Sequence, residues 1–157
     1  NNYVQGKVEW IGIRENQGDI KSLNSVMAIK GEGLEGDKIT SKKSKKRQVT
    51  LMQKEHISVI LSLAQEKDKN RIKNIQYYFK RNLLISYCNI QNLKGKIFTI
   101  GGAKFLGTGD CKPCKKIENL LGTKMLDAMQ GMGGITAVVE ETGRIKINDR
   151  LKLEINL

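Results

Sequence analysis

Two cysteines three residues apart are the residues of this chain best suited to chemistry. The run Cys111-Lys112-Pro113-Cys114-Lys115-Lys116 places two thiols beside three lysines and the only proline of the chain. A thiol acts as a nucleophile or a metal ligand in its thiolate form, which nearby positive charge favours. Proline is frequent in the first turn of a helix, and helix N-termini stabilise anions. The pattern therefore predicts a helix over 113–121, with Cys111 just before it and Cys114 in its first turn.

The residue types leave several roles open for this cysteine pair. A structural zinc site needs four ligands, and the chain has three cysteines and one histidine, His56, which is distant in sequence. The spacing also occurs in thioredoxin-like oxidoreductases, but the motif lies late in the chain and no second proline is present. Two ordinary thiols at a helix start, or a thiolate that holds a soft metal in a cofactor pocket, both fit the residues. The third cysteine, Cys88, follows an apolar run and is predicted to be a buried core thiol.

Length, charge and hydropathy limit the class of protein. The 157 residues suffice for one domain with its own core, so we expect a single domain over 1–157. No stretch approaches the ~18 apolar residues of a membrane span and no signal pattern is present, which predicts a soluble cytoplasmic protein without a membrane partner. The net charge of +12 favours an anionic partner, but the charges are scattered and no aromatic stacking face accompanies them. Nucleic acid is therefore disfavoured as the partner, and the basic run 41–47 is predicted to be a solvated loop.

Short strand-like segments separated by turns must position the cysteines. Alternation and β-rich composition predict strands in 4–13, 48–52, 83–86, 97–101, 103–107, 135–140, 144–147 and 151–155. Helical spacing of apolar residues predicts helices over 53–67 and 124–129, and the glycine-punctuated segment 31–37 predicts a tight loop. The strands and helices do not alternate in a βαβ rhythm. The fold class predicted is therefore mainly β (α+β), with a barrel-like sheet and a few short helices.

Seven segments resemble, in the same order, motifs of the MOSC domain family, the C-terminal domain type of molybdenum cofactor sulfurases, which also occurs in small stand-alone bacterial proteins. The segments are Gly33-Leu34-Glu35-Gly36-Asp37, Arg47-Gln48-Val49-Thr50-Leu51, Lys80-Arg81-Asn82-Leu83, the hairpin 93–101, Cys111-Lys112-Pro113-Cys114, Gly131-Met132-Gly133-Gly134-Ile135 and the strand 143–149. Each segment alone is weak, but seven in order are specific. The resemblance implies a β-barrel-like MOSC-type domain that spans the whole chain.

The resemblance also implies a cofactor and the residues that bind it. The cofactor is the molybdenum cofactor (molybdopterin), a pterin dithiolene with a phosphate tail. Cys114 is implied as the metal-ligating or sulfur-carrying thiol, and Cys111 as its neighbour or resolving thiol. Lysine, arginine and asparagine suit a phosphate and a pterin edge, and plain turns remain open for the glycine segments. The implied cofactor-binding residues are Lys80, Arg81, Asn82, Gly36, Asp37, Gly133 and Gly134.

Two kinds of activity follow from the resemblance. The first is a molybdenum-dependent oxidoreductase that reduces N-hydroxylated compounds with electrons from a separate donor protein. The second is a non-enzymatic sulfur or cofactor carrier that serves a cofactor-biosynthesis protein. Neither needs pyridoxal phosphate. The sequence alone does not decide whether the chain is an enzyme.

Overall fold

Strands dominate the architecture. A computed structural model describes residues 6–15, 18–38, 44–113 and 115–154. The strands in these ranges are β1 (Gly6–Arg14), β2 (Ile20–Leu23), β3 (Ser25–Ile29), β4 (Gly33–Leu34), β5 (Val49–Gln53), β6 (Leu83–Ser86), β7 (Ile97–Ile100), β8 (Ala103–Asp110), β9 (Ile135–Glu141), β10 (Gly143–Lys146) and β11 (Arg150–Leu153). The α-helices are α1 (Lys54–Leu63), α2 (Lys69–Lys73), α3 (Ile75–Phe79), α4 (Lys115–Leu121) and α5 (Thr123–Ala128), and a 3-10 helix covers Ile90–Leu93. The predicted mainly β class is confirmed.

Seven strands close into a barrel. Their order is β11-β7-β8-β9-β5-β6-β1, and β1 also pairs with β11, which removes the open edge that a flat sheet would have. Strand β2 adds to the barrel beside β1, while β10, β3 and β4 form a separate three-stranded sheet. The barrel predicted from the resemblance is therefore present, and its first and last strands seal it.

Large apolar side chains fill the barrel interior. Leu51, Leu83, Phe98, Phe105 and Ile135 are all completely buried there. The rings of Phe98 and Phe105 stack across the β7–β8 pair with centroids 5.5 Å apart. Each such side chain contributes about 2 kcal/mol through burial. Truncation of Phe105 to alanine would cost roughly 3–5 kcal/mol, because the packed wall cannot collapse into the cavity.

One crossover departs from the predicted topology. Strands β5 and β6 are parallel, and helices α1 to α3 connect them. This single βαβ connection was not predicted from the sequence, although the strands and helices elsewhere do not alternate in a βαβ rhythm, as expected. Helices α1 and α3 contribute to a second apolar cluster, in which Met52 of β5 and Phe79 of α3 meet Ile117 and Met125 from α4 and α5. The crossover thus brings the segment that follows α3 next to α4.

Several element boundaries also differ from the predicted ones. The helix predicted over 53–67 ends at Leu63, because Gln65 adopts a left-handed backbone with φ 53°. The described helix after the cysteine motif begins at Lys115, so Pro113 precedes it instead of forming its first turn. Strands β2 and β3 were not predicted. In β3 the buried Val26 and Ala28 alternate with half-buried apolar residues, which hides the two-residue period.

None of the described helices has the length and apolar character needed to cross a membrane.

Candidate functional site

A positively charged cleft of about 1010 Å³ lies where the end of β1, the end of α3 and the outer face of α4 meet. Among the described residues that line it, seven are cations and one, Glu15, is an acid. The cations are Arg14, Lys38, Arg47, Lys80, Arg81, Lys115 and Lys116, and apolar or aromatic surface comes from Tyr78, Phe79, Ile117 and Leu120. We call this the cationic cleft. A concave site with one sign of charge and an apolar wall attracts and holds an anionic organic molecule.

A buried ion pair supports one wall of the cationic cleft. Arg14 ends β1, and its guanidinium donates from Nε and Nη2 to the two carboxylate oxygens of Asp37, at 3.2 and 3.1 Å. The Arg14 peptide N–H also donates to Asp37 Oδ1 at 2.8 Å. Both side chains are buried, Asp37 completely. A bidentate pair of this kind fixes the plane of the guanidinium as well as its position.

Asn82 joins this ion pair to the barrel. Its Oδ1 accepts hydrogen bonds from the Thr50 peptide N–H at 3.0 Å and from Arg14 Nη2 at 3.4 Å. Its Nδ2 donates to Gly12 O at 3.0 Å and to Asp37 Oδ2 at 3.2 Å. Asn82 is completely buried, and both of its amide hydrogens have protein acceptors. The side chain therefore ties β1, β5, β6 and the Asp37 loop together beneath the cationic cleft.

Arg81 links the cationic cleft to the cysteine segment. Its Nε donates to Gly133 O at 2.9 Å, and its Nη1 donates to Phe79 O at 3.0 Å. The peptide N–H of Cys111, in turn, donates to Gly134 O at 2.9 Å. Residues 131–135, which we call the glycine segment, thus lie between two buried residues: Arg81, which lines the cationic cleft, and Cys111.

Glycine is required at 133 and 134 by close backbone approach. A Cβ on Gly134, which has φ 95°, would lie 2.0 Å from Leu51 O, and one on Gly133 would lie 2.4 Å from Cys111 O. Such distances leave no space for any side chain. The glycine segment therefore packs closely against β5 and the cysteine segment.

The structure brings most of the predicted site residues into one region. Lys80 and Arg81 line the cationic cleft, while Asp37, next to the turn residue Gly36 (φ 86°), and Asn82 lie behind Arg14. Cys111 is buried at the edge of the same region.

Two of the predicted features fall outside what the structure describes. Cys114 is not among the described residues, and neither are positions 41–43 of the basic run. The neighbours of Cys114 are described: Lys115 lines the cationic cleft, and the ring of Pro113 approaches Gly133.

The remaining cysteine belongs to a different environment. Cys88 is half-buried and packs against the barrel core, so the prediction of a fully buried thiol is only partly correct. Burial first, and then the negative charge of Glu55, raise the pKa of the Cys88 thiol to about 11. A thiol with that pKa stays protonated at neutral pH and is a poor nucleophile. Cys88 is therefore unsuited to the chemistry expected of the cysteine pair.

Arg14 and Arg47 were not predicted from the sequence as site residues. Arg14 is the last residue of β1 and follows an apolar run. A charged residue at such a position ordinarily indicates that the strand has left the core. The signal that could have found it is Asp37, because a buried carboxylate needs a cationic partner. The distance of 23 residues between the two hides that pairing in the sequence.

The fold and the cleft together define a barrel domain with a basic cleft, and the chain belongs to the MOSC domain family. The family model, described as MOSC domain, matches residues 37–152. That range includes the buried carboxylate, the segment after α3, the cysteine segment and the glycine segment. No curated protein matches the chain significantly.

Solved structures share this fold over almost the whole chain. The YUAD protein from Bacillus subtilis superposes with a TM-score of 0.80 at 16% identity, and the match covers 98% of this chain and 97% of that one. YiiM from Escherichia coli has a TM-score of 0.68 at 20% identity, covering 96% and 71%. YiiM from Geobacillus stearothermophilus has a TM-score of 0.73 at 13% identity, covering 96% and 75%. At these identities the likeness concerns the fold alone.

Proposed function

We propose that this protein binds the molybdenum cofactor in the cationic cleft, with Cys114 as the thiolate nearest the metal. The observation that carries the proposal is the convergence of seven cations on a cleft that also has an apolar wall. Membership of the MOSC family supplies the class of ligand. Whether the residues of the cationic cleft suit this ligand can be judged from their chemistry.

The donor set suits this cofactor at both of its ends. A phosphate tail calls for arginine and lysine, and Arg14, Arg47, Lys80 and Arg81 all line the cationic cleft. A flat pterin body calls for apolar and aromatic surface such as that of the half-buried Tyr78. The volume of about 1010 Å³ is at the upper end of the range for small-molecule sites.

The other predicted binding residues would act through these cations. Asn82 and Asp37 both accept hydrogen bonds from Arg14, and Asn82 also donates one to Asp37. We therefore infer that they orient the Arg14 guanidinium. Gly133 accepts a hydrogen bond from Arg81 and would fix that side chain in the same way. We propose these three residues, with the turn at Gly36, as positioning residues for the cations that contact the ligand.

The cysteine segment supports a thiolate at the edge of the cationic cleft. Lys115 and Lys116 line the cleft directly after Cys114 in the chain, and their charge favours the thiolate form. Cys111 is buried, and its peptide N–H is bound to the glycine segment, so it would serve as the supporting neighbour of Cys114. When bound, the cofactor would supply a redox-active metal centre.

Two activities remain as versions of this proposal. An oxidoreductase would reduce an N-hydroxylated substrate at the cofactor, with electrons from a separate donor protein. A carrier would hold the cofactor, or a sulfur atom on Cys114, and pass it to a biosynthesis partner. Turnover with an electron donor separates the two, because a carrier exchanges its cargo without reducing a substrate.

The testing experiment is metal and pterin analysis of protein purified anaerobically from a host that makes the cofactor. Wild type is compared with Cys114→Ser, and Cys88→Ser is the matched control because that thiol lies outside the cleft lining. We expect molybdenum and pterin in wild type and in Cys88→Ser, and a lower molybdenum content in Cys114→Ser. Absence of both from wild type would refute cofactor binding, and persulfide on wild type alone would favour the sulfur carrier.

A further inference from the structure

Lys80 has a backbone conformation that suits glycine better than lysine. It follows the last residue of α3 with φ 56° and ψ 36°, in the left-handed region, and its peptide N–H donates to Gln76 O at 3.1 Å. This position after a helix is where glycine is most common, because an L side chain raises the energy of the left-handed conformation. Residues kept in such conformations cluster at functional sites. We therefore expect the Lys80 side chain to make a functional interaction whose energy offsets the cost of the strained backbone.

The surroundings of Lys80 indicate that use. A second cleft of about 470 Å³ adjoins the cationic cleft, and Gly18, Tyr78, Lys80 and Leu120 line both of them. The remaining residues that line this second cleft are Asp19, Ile20, Asn70, Asn74 and Tyr77. Among the described residues around the second cleft, Lys80 is thus the single cation and Asp19 the single acid.

Gly18 leaves room for the lysine head group. A Cβ on Gly18 would lie 3.2 Å from Lys80 Nζ, and the glycine has φ 100°, which side chains rarely adopt. The ammonium group therefore lies at the junction of the two clefts, opposite a residue without a side chain. Tyr77 and Tyr78 also line the second cleft and offer aromatic surface there.

We propose that the second cleft is a binding subsite for a small aromatic anion, with Lys80 binding the anionic group at the junction. Tyr77 and Tyr78 contact the aromatic body, since aromatic rings pair edge-to-face or in offset stacks. The ammonium contributes a charge-assisted hydrogen bond to a phosphate or carboxylate. The inference deepens the proposed function, because such a subsite beside the cofactor would receive the substrate.

Trp10 provides the assay. It is the only tryptophan of the chain, and its ring lies edge-on to Tyr77 with centroids 5.8 Å apart. A ligand that contacts Tyr77 should change the fluorescence of Trp10. Phenyl phosphate and inorganic phosphate are the two probes, titrated into cofactor-free protein. We expect phenyl phosphate to bind about tenfold more tightly and to change the fluorescence, because only it carries a ring.

Substitutions at the strained position make the test specific. Lys80→Gly should raise Tm by about 1–3 °C through release of strain, and should weaken phenyl phosphate binding about tenfold through loss of the ammonium. Lys80→Arg keeps the charge and should keep the affinity within about threefold. Gln65→Gly is the matched control, since the exposed Gln65 has φ 53° and lies outside both clefts. It should raise Tm similarly and leave binding unchanged.

The outcomes that overturn the inference are distinct. Equal affinities for the two probes would remove the aromatic subsite. An unchanged affinity in Lys80→Gly would remove Lys80 as the anion-binding residue, and a lower Tm in that variant would make the lysine side chain a structural one. Because the protein in this assay carries no cofactor, a failure of molybdenum and pterin to co-purify would refute the proposed function without changing these results.

Discussion

Replacement of Asp37 by alanine should destabilise the wall of the cationic cleft that contains Arg14. The Asp37 carboxylate accepts at least four hydrogen bonds, three from Arg14 and one from Asn82, at 2.8 to 3.2 Å. The side chain is completely buried, so none of these donors is simply exchanged for bulk water in the folded state. Asp37→Ala removes every acceptor at once and leaves the Arg14 charge without its partner.

The expected cost follows from the burial of the two partners. Removal of one member of a buried ion pair costs about 3–5 kcal/mol, mainly because the other charge stays desolvated. The Arg14 side chain is buried but keeps 7% of its surface exposed and lines the cationic cleft, so we expect about 3 kcal/mol, at the lower end of that range. For a domain of this length the loss corresponds to a drop in Tm of about 6–12 °C.

Urea unfolding followed by Trp10 fluorescence measures this cost. Asp110→Ala is the matched control: its pair with Lys94 has a shorter N–O distance, 2.9 Å against 3.1 Å, but both side chains are largely exposed. The control should lose at most about 1 kcal/mol.

A double-mutant cycle with Arg14→Ala isolates the ion pair. The double variant should be more stable than the sum of the two single losses predicts, by about 2 kcal/mol, because no lone buried charge is left. A loss below about 1 kcal/mol for Asp37→Ala, or additive losses in the cycle, would show that the ion pair does not support the site.

Two further predictions concern packing and pH. Gly134→Ala should cost about 3 kcal/mol or more or prevent folding, whereas Gly131→Ala, which also has positive φ but meets nothing within 4 Å, should cost about 1 kcal/mol in chemical denaturation. Because the pKa of Cys88 is raised from 9.0 to about 11, the folded state keeps its proton to higher pH than the unfolded chain. Stability should therefore fall as pH rises from about 9 to about 11, and Cys88→Ala should flatten that decline; an equal slope in both proteins would refute it.

Local patterns in the sequence were enough to predict the strand-rich fold. The two-residue period of 144–147 and the apolar run at 83–86 each predict a strand, because the residues of each segment alone carry the pattern that favours it. The parallel pairing of β5 with β6 was not predictable in this way. It depends on a crossover of three short helices, of which only α1 shows helical apolar spacing in the sequence, and on the packing of α1 and α3 in one apolar cluster with Met52.

The candidate site was predictable only as a set of motifs. The segments around Asp37 and Asn82 could be found by their resemblance to a family, but their hydrogen bonds to Arg14 could not. The three residues lie on β1, directly before β6 and in the loop after β4, and only closure of the barrel brings them together. Long-range pairing of this kind leaves no periodic signal, so the cationic wall of the cleft became evident only from the fold.

The most direct test of the central claim is molybdenum K-edge X-ray absorption on cofactor-loaded protein. The proposal places the Cys114 thiolate on the metal, in addition to the sulfurs of the cofactor itself. We expect Cys114→Ser, loaded in the same way, to show one sulfur ligand fewer than wild type, and Cys111→Ser to match wild type. An unchanged sulfur count in Cys114→Ser would contradict thiolate ligation by this residue.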